Sequence, residues 1–525
     1  MSAEIAEIAV IGASLGGVLA AWSACRAGRR VLLVAEHDWL GGQMTAQGVP
    51  PDEHRLIEQG GASRSYQAFR AAIRAHYRAA PGFQHRSHMT EGLNPGDGWV
   101  SRLCFEPRLA ADYFEALLAP CVARGQLTLL RGCRPTAVQR RGRRIEAVSV
   151  EQRDGATLRI EAQVFIDATD TGALLPLAGL PYRLGKEARA EFGESLAPER
   201  ADPLDQQPVT VVIAVRRHAA PQAVGPAPAG YAFWRAHRLP HYGHALFSGF
   251  IPGSAPGESR ALPLFPPSVD PAEPSFDLWR YRRIVAAHQW LPPRDELSLI
   301  NWAQNDYGLH PLLDGPLPER AVEAAARELS LCLLHWLRTE APRPDGCAGY
   351  PELQAEPAVL GTPDGLAQQV YVRESRRIVG LDCLTQQQVQ AAPKQRDDSV
   401  GIAWYMMDMH PTCVSGQGLN AHVQPFELPL GCFIPADCDN LLPGCKNLSV
   451  THLVNACTRV HPAEWLIGEV AGLLAAQALT LGCTPASIRA SPTHRQALQA
   501  ALVDHGIPLH WDADLLTRNP PDGLS

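Results

Sequence analysis

At 525 residues the chain is too long for a single hydrophobic core to be the default, so two intimately joined domains with ample buried volume are expected. A 46% hydrophobic and 19% charged composition is that of a globular protein, and 45 prolines point to ordered loops rather than disorder. The net charge of −7 supplies no broad basic field for nucleic acid, and the arginine cluster at 140–144 reads as a solvated turn.

The 13 cysteines are scattered singly with no Cys-x-x-Cys pair, which argues against a zinc ribbon or a redox dithiol, and no metal site is expected. An odd count spread through apparent helices and strands suits buried free thiols in a reducing compartment, so a cytoplasmic location is expected. The first apolar run reads as a strand rather than as a secretory leader, and no uninterrupted apolar segment is long enough for an integral membrane span.

In chain order, residues 7–11 are a short β-branched strand, 12–17 a glycine-rich turn, and 18–26 an alanine-rich helix closed by Gly28. Residues 30–35 form a second buried strand with Glu36 at its end, completing the β-α-β unit by which parallel strands are joined. A loop over 38–51, a helix over 66–78, a turn-rich connection over 92–98 and a helix over 106–124 follow, then strands at 127–131, 145–152 and 164–167. From 202 to about 318 prolines and aromatics rise and strands shorten, until a helix at 319–339, so 201–370 is expected to be a cap or substrate domain. Apolar strands return beyond 373 and 462–481 is a long apolar helix, so 371–482 should complete the domain begun by 1–200, followed by a helical tail over 483–525. No repeat of fixed period and no low-complexity tract is present.

The turn reads Gly12-Ala13-Ser14-Leu15-Gly16-Gly17, the dinucleotide fingerprint with serine in place of its middle glycine. The first glycine permits the tight turn, the small middle residue lets backbone approach a diphosphate, and the last lets the helix pack on the sheet. The helix dipole and backbone N–H groups hold that anion. Glu36, nineteen positions after Gly17, stands where a ribose-binding acid belongs and argues against a 2′-phosphate.

Trp39-Leu40-Gly41-Gly42-Gln43-Met44-Thr45 then places paired glycines soon after that acid, and Asp167-Ala168-Thr169-Asp170-Thr171-Gly172 follows an apolar strand. In these segments, and in 447–472, the sequence resembles the glutathione-reductase-type FAD superfamily, in particular the FAD-dependent oxidoreductases related to fumarate-reductase flavoproteins. The resemblance implies an α/β fold with a Rossmann-like FAD-binding domain and an inserted α+β cap. It implies that Gly12, Ser14, Gly16 and Gly17 face the diphosphate, Glu36 the adenosine ribose, and Gly41, Gly42 and Gln43 the region between diphosphate and flavin. Val138 would lie at the adenine by backbone contact, and Thr169 and Gly172 would mark the turn where the chain leaves the domain. The start of the last long helix, with His461, Pro462 and a capping Glu464, would stabilise negative charge on the flavin pyrimidine ring.

Flavin carries the electron transfer, so the protein must supply orientation, electrostatics and a proton acceptor. Polar groups gather at 373–377, at Asp408-Met409-His410, at His452 with Arg459 and His461, and at 301–307. The expected reaction is hydride transfer between a small organic substrate and flavin N5, by a dehydrogenase, oxidase or desaturase. His410 or His452 would be the acid or base, and Arg373 or Arg376 would hold an anionic group. Structural ion pairs for the arginines and satisfied core positions for the histidines are the alternatives. No second strand-glycine-helix fingerprint follows, so a nicotinamide domain is not expected, and oxygen, a quinone or a protein carrier is left as electron partner. A flavoenzyme with a non-redox net reaction and an FAD-dependent monooxygenase are the alternative functions. Oligomeric state is not legible.

Overall fold

The computed structural model describes residues 3–87, 92–253, 257–265 and 276–520. A sheet runs in the order Leu127–Arg131, Val31–Ala35, Ala3–Ile11, Thr157–Asp167, Arg144–Gln152, Cys133–Arg141. Its first four strands are parallel and the last two return antiparallel. Val31–Ala35 is buried at every position, as a parallel strand covered on both faces must be.

Thr157–Asp167 organises the whole. One edge pairs with Ala3–Ile11 from Ala3 opposite Arg159 to Ile11 opposite Asp167. The other edge is shared: residues 157–161 pair antiparallel with Arg144–Gln152, and 165–167 pair parallel with Leu441–Pro443. That last strand is the point at which the chain returns to the sheet it left some 270 residues earlier, a separation read from positions 167 and 441. With Ile11 and Asp167 in register, the turns at Gly12, Ala168 and Gly444 lie side by side, joined by Ala168 N–H to Ile11 O at 2.8 Å and Gly444 N–H to Asp167 O at 2.8 Å. Carboxyl ends of parallel strands gathered this way form the crevice where α/β proteins bind ligands.

The helices Leu15–Arg26 and His461–Leu481 pack on one face of this sheet. They approach closely because glycines face each other: a Cβ on Gly468 would lie 2.1 Å from Gly16 O, and one on Gly472 would lie 2.3 Å from Ala20 O. His461–Leu481 is long and apolar enough to cross a membrane by length and composition, and 78% of the qualifying window is buried within the protein.

A second, four-stranded antiparallel sheet runs Arg283–Val285, Glu296–Ile300, Ile213–Arg217, Leu353–Ala355. Helix Glu319–Thr339 packs on it through Val322, Ala326, Leu329, Leu333 and Leu337, the spacing of one helical face. The early loops join this body too: Phe83 bridges to Trp290, and the Arg283 guanidinium donates to Gly96 O at 2.8 Å.

Several elements differ from the sequence reading: the first strand begins at Ala3 rather than 7, and the first helix at Leu15 rather than 18. The strand expected at 164–167 begins at Thr157: residues 157–163 alternate polar and apolar side chains, the pattern of a half-buried strand, ahead of the continuous apolar run. Cys133–Arg141 is also a strand, hidden by its arginines and glutamine, and the 140–144 cluster is the hairpin turn joining it to Arg144–Gln152. All thirteen cysteines are unpaired.

Candidate active site and cofactor cleft

A cleft of about 260 Å³ opens where the parallel strands end. Gly12, Ser14, Glu36 and Gly42 line it, with Ala168 and Thr169 beneath. Gly12 has φ +104°, and a Cβ there would lie 2.3 Å from Ala168 O, so the turn requires glycine. Ser14 N-caps the helix through Oγ, which accepts the Gly17 N–H at 3.2 Å. Thr169 is fixed by donation to Asp167 Oδ1 at 2.7 Å.

The far wall comes from the inserted body. Arg320, Glu323 and Arg327, on helix Glu319–Thr339, face the same cleft. Burial, followed by the carboxylates of Glu36 and Glu319, pushes the Glu323 carboxyl up to about 7.

Behind the glycine turn lies a buried polar seam. Gly16 N–H donates to Glu464 Oε1 at 3.1 Å, and Lys446 Nζ sits 3.3 Å from Glu464 Oε2 and in contact with Asp170. Burial disfavours the Lys446 ammonium, but the carboxylates of Asp170 and Glu464 outweigh it and hold the charge. Gln43 Nε2 donates to Glu464 and, at 3.3 Å, to Arg459 O. Gln43 Oε1 and Gln47 Oε1 are buried without a partner. Each unmet group of this kind costs roughly 1–3 kcal/mol, which marks the seam as a place for a polar ligand.

A second cavity, about 350 Å³, lies beyond this seam. Trp99, Tyr281, Trp302 and Tyr405 give it aromatic walls, and Arg282 and His410 face it. His410 Nδ1 is 2.5 Å from Asp306 Oδ2, and Nε2 is 3.6 Å from Asp408 Oδ2. Each aspartate has its own guanidinium: Arg373 at 2.9 Å from Asp306 and Arg459 at 2.9 Å from Asp408. Burial and Arg373 oppose the charged imidazole, yet Asp306 and Asp408 prevail, and His410 titrates above the ordinary histidine range. Arg282 pairs with Asp52 at 3.2 Å and donates to Pro50 O at 3.4 Å. Asn301 Nδ2 and Trp302 Nε1 are buried without acceptors. The two cavities back onto one segment, since Gln43 touches Arg459 while Asp52 N–H donates to His461 Nδ1 at 3.0 Å.

The sequence candidates separate on this geometry. Gly12, Ser14, Glu36, Gly42 and Thr169 face the cleft. Gly16 and Gly17 lie in the turn behind it, and Gly41 supports the next one by donating its N–H to Ala13 O at 3.0 Å. Val138 does not line the cleft: Cys133, Arg134 and Pro135, nearer the start of its strand, do so, and Val138 packs on the core under the antiparallel strands. Glu464 does not cap its own helix, whose first turn relies on Pro462, but reaches the opposite helix at Gly16. His461 is pinned between Asp52 N–H and Val49 O, which it reaches at 3.1 Å, and burial drives it down to about 3. It is a neutral structural pin that lines neither cavity.

Of the histidines, His410 faces the second cavity, whereas His452 is buried against Glu187 at 2.6 Å and faces neither. Arg373 buttresses Asp306, and Arg376 ties Thr171 O to Asp314, so both arginines are structural rather than lining the cavity. Arg282, Trp99, Arg320, Glu323 and Lys446 escaped the sequence reading. Only the basic run at 280–283 offered a local signal.

The family model for FAD dependent oxidoreductases matches residues 7–502. The chain belongs to the FAD dependent oxidoreductase family. As a member of that family it is an enzyme with FAD as its cofactor. No curated protein matches the chain. Among solved structures, this oxidoreductase is similar to a geranylgeranyl bacteriochlorophyll reductase-like protein from Thermoplasma acidophilum, at 10% identity over 97% of this chain and 86% of that one, with a TM-score of 0.34. It is also similar to a flavoprotein/dehydrogenase from Cytophaga hutchinsonii, at 18% identity over 41% and 47% of the two chains and a TM-score of 0.24. L-proline dehydrogenase from P. horikoshii matches at 15% identity, 32% and 23% coverage and a TM-score of 0.18. The oxidoreductase spans under half the length of either of these last two chains.

The residues present fit FAD. The glycine turn offers backbone N–H groups and a helix N-terminus to a diphosphate, and Glu36 offers a carboxylate to a ribose. The unmet amide oxygens of Gln43 and Gln47 continue the polar track from that turn toward the second cavity.

Proposed function

We propose that this oxidoreductase transfers a hydride between a small organic substrate, held in the cavity at His410, and N5 of FAD, acting as a dehydrogenase, oxidase or desaturase. The observation that carries this reading is the pairing of a doubly carboxylate-flanked histidine with two unmet buried donors in one aromatic cavity behind the cofactor seam. FAD supplies the two-electron chemistry when bound. Trp302 Nε1–H and Asn301 Nδ2–H would hold a substrate oxygen, and the aromatic walls exclude water, which strengthens both contacts.

His410 handles the proton. Oxidation removes a hydride and a proton from the substrate, and the proton goes to a neutral imidazole; reduction takes the same proton back from the imidazolium. Because Asp306 and Asp408 hold His410 charged above its usual range, oxidation must wait for deprotonation. Substrate oxidation is therefore expected to quicken as pH rises through that raised value, and substrate reduction to slow. The acceptor we favour is oxygen, a quinone or a protein carrier, since 7–36 is the one dinucleotide-binding unit in the sequence. The unpaired cysteines support a reducing, cytoplasmic setting.

Anaerobic mixing with panels of alcohols, amines and acids, followed by flavin bleaching across pH, tests the reading. His410→Asn should lose about 10²–10⁴-fold in bleaching rate together with its pH dependence. A wild-type rate and profile in that variant would remove His410 from the chemistry.

A further inference from the structure

A third cavity, about 170 Å³, adjoins the one at His410. Pro252, Ala303 and Pro411 line both. The Asp306–His410 pair also spans them, Asp306 facing one and His410 the other. The chemistry of the two compartments contrasts. In the first, Arg282, Arg373 and Arg459 each match one aspartate and the lining Glu53 is matched by Arg70, so the lining Arg260 leaves a positive charge over even while His410 is neutral, and a protonated His410 adds another. The second is walled by Trp234, Leu239, Leu246, Leu309 and Val414, and its one carboxylate, Asp306, is already matched by Arg373. Two histidines, His237 and His241, also line it, and burial keeps His237 below the ordinary histidine range.

The mouth of this third cavity is apolar as well. Val414 is 57% exposed and Leu309 37% exposed while lining it, and Phe233, 54% exposed, packs edge-on to the lining Trp234 at 5.0 Å. Single exposed apolar residues are ordinary, but several around one opening mark a binding surface. The cavity at His410 is by itself at the small end of ligand pockets, which run to roughly 300–1,000 Å³.

From the shared wall and the charge contrast we infer that the two cavities form one site, and that the substrate is an amphipathic anion. Its polar head lies at Asn301, Trp302 and His410, and its apolar tail passes Ala303 into the cavity of Trp234, Leu309 and Val414. The inference rests on the reading of the His410 cavity as the substrate site and extends it to a substrate class.

Linear alkanoates from butanoate to dodecanoate, titrated calorimetrically into the FAD-loaded enzyme, test it. Affinity should rise about four-fold per methylene until the tail cavity is full, the equivalent of ~0.8 kcal/mol per buried CH₂. Val414→Asp, at an exposed position that tolerates charge, should flatten the series, and Ala303→Trp, which narrows the passage, should do the same. A flat wild-type series with butanoate binding that His410→Asn weakens would overturn the tail site alone. A wild-type slope that survives both substitutions would also overturn it. Failure of every alkanoate to bind would overturn the anionic head as well, and with it this substrate class; flavin bleaching by an uncharged substrate that still depends on His410 would leave the proposed reaction standing.

Discussion

Glu323 and Glu36 face one another across the cofactor cleft from different bodies of the protein, and their proximity has a measurable consequence. Glu319 adds to the repulsion, while Arg320 and Arg327 relieve it. As pH rises through about 7, Glu323 ionises and places another negative charge in the cleft proposed to hold the diphosphate, so FAD affinity should weaken. Glu323→Gln should show no such step; flavin fluorescence titrations across pH would show it, and identical profiles in both proteins would refute the effect. Arg373 makes a different kind of contribution. It is 2% exposed and holds the buried Asp306, which would keep only His410 as a cationic partner, so Arg373→Met should cost up to about 3–5 kcal/mol in chemical denaturation, the penalty for breaking a buried ion pair. A loss under 1 kcal/mol, the range of an exposed pair, would contradict that role. These residues also show what the sequence could disclose. Ser14 and Glu36 were legible because they belong to a local fingerprint with fixed spacing. Arg282, Glu323 and Lys446 were not, because each reaches its place from an element far away in the chain and has no periodic signature.

At the scale of elements, the helices Leu15–Arg26 and His461–Leu481 approach closely. Gly468→Ala would push a Cβ to 2.1 Å from Gly16 O and part the helices where the cofactor turn begins. The expected cost is at least about 1–3 kcal/mol with a lowered FAD content, read by thermal denaturation and flavin absorbance. An unaltered melting temperature and flavin content would show that the helices separate freely. Helix Glu319–Thr339 was legible to the residue because its apolar stripe keeps one period for 21 residues. Cys133–Arg141 was not, since a half-exposed strand of arginines carries no run of apolar side chains and is specified by its hairpin partner.

For the whole molecule, the cleft is the joint. Its floor belongs to the parallel sheet and its far wall to the inserted body, so FAD held there as proposed would touch both. We expect FAD at a hundred-fold excess over its Kd to stabilise the protein by about 2.7 kcal/mol and to slow proteolysis within residues 201–370. Protection confined to the N-terminal body would place the cofactor away from Arg320 and Glu323. The account rests on FAD held between Gly12, Glu36 and Gly42, and the visible absorbance of the purified protein before and after acid precipitation tests that most directly. Flavin bands in the wild type that pass into the supernatant, with lower occupancy in Glu36→Ala, are the predicted result. A colourless wild-type protein that also fails to take up added FAD would contradict it.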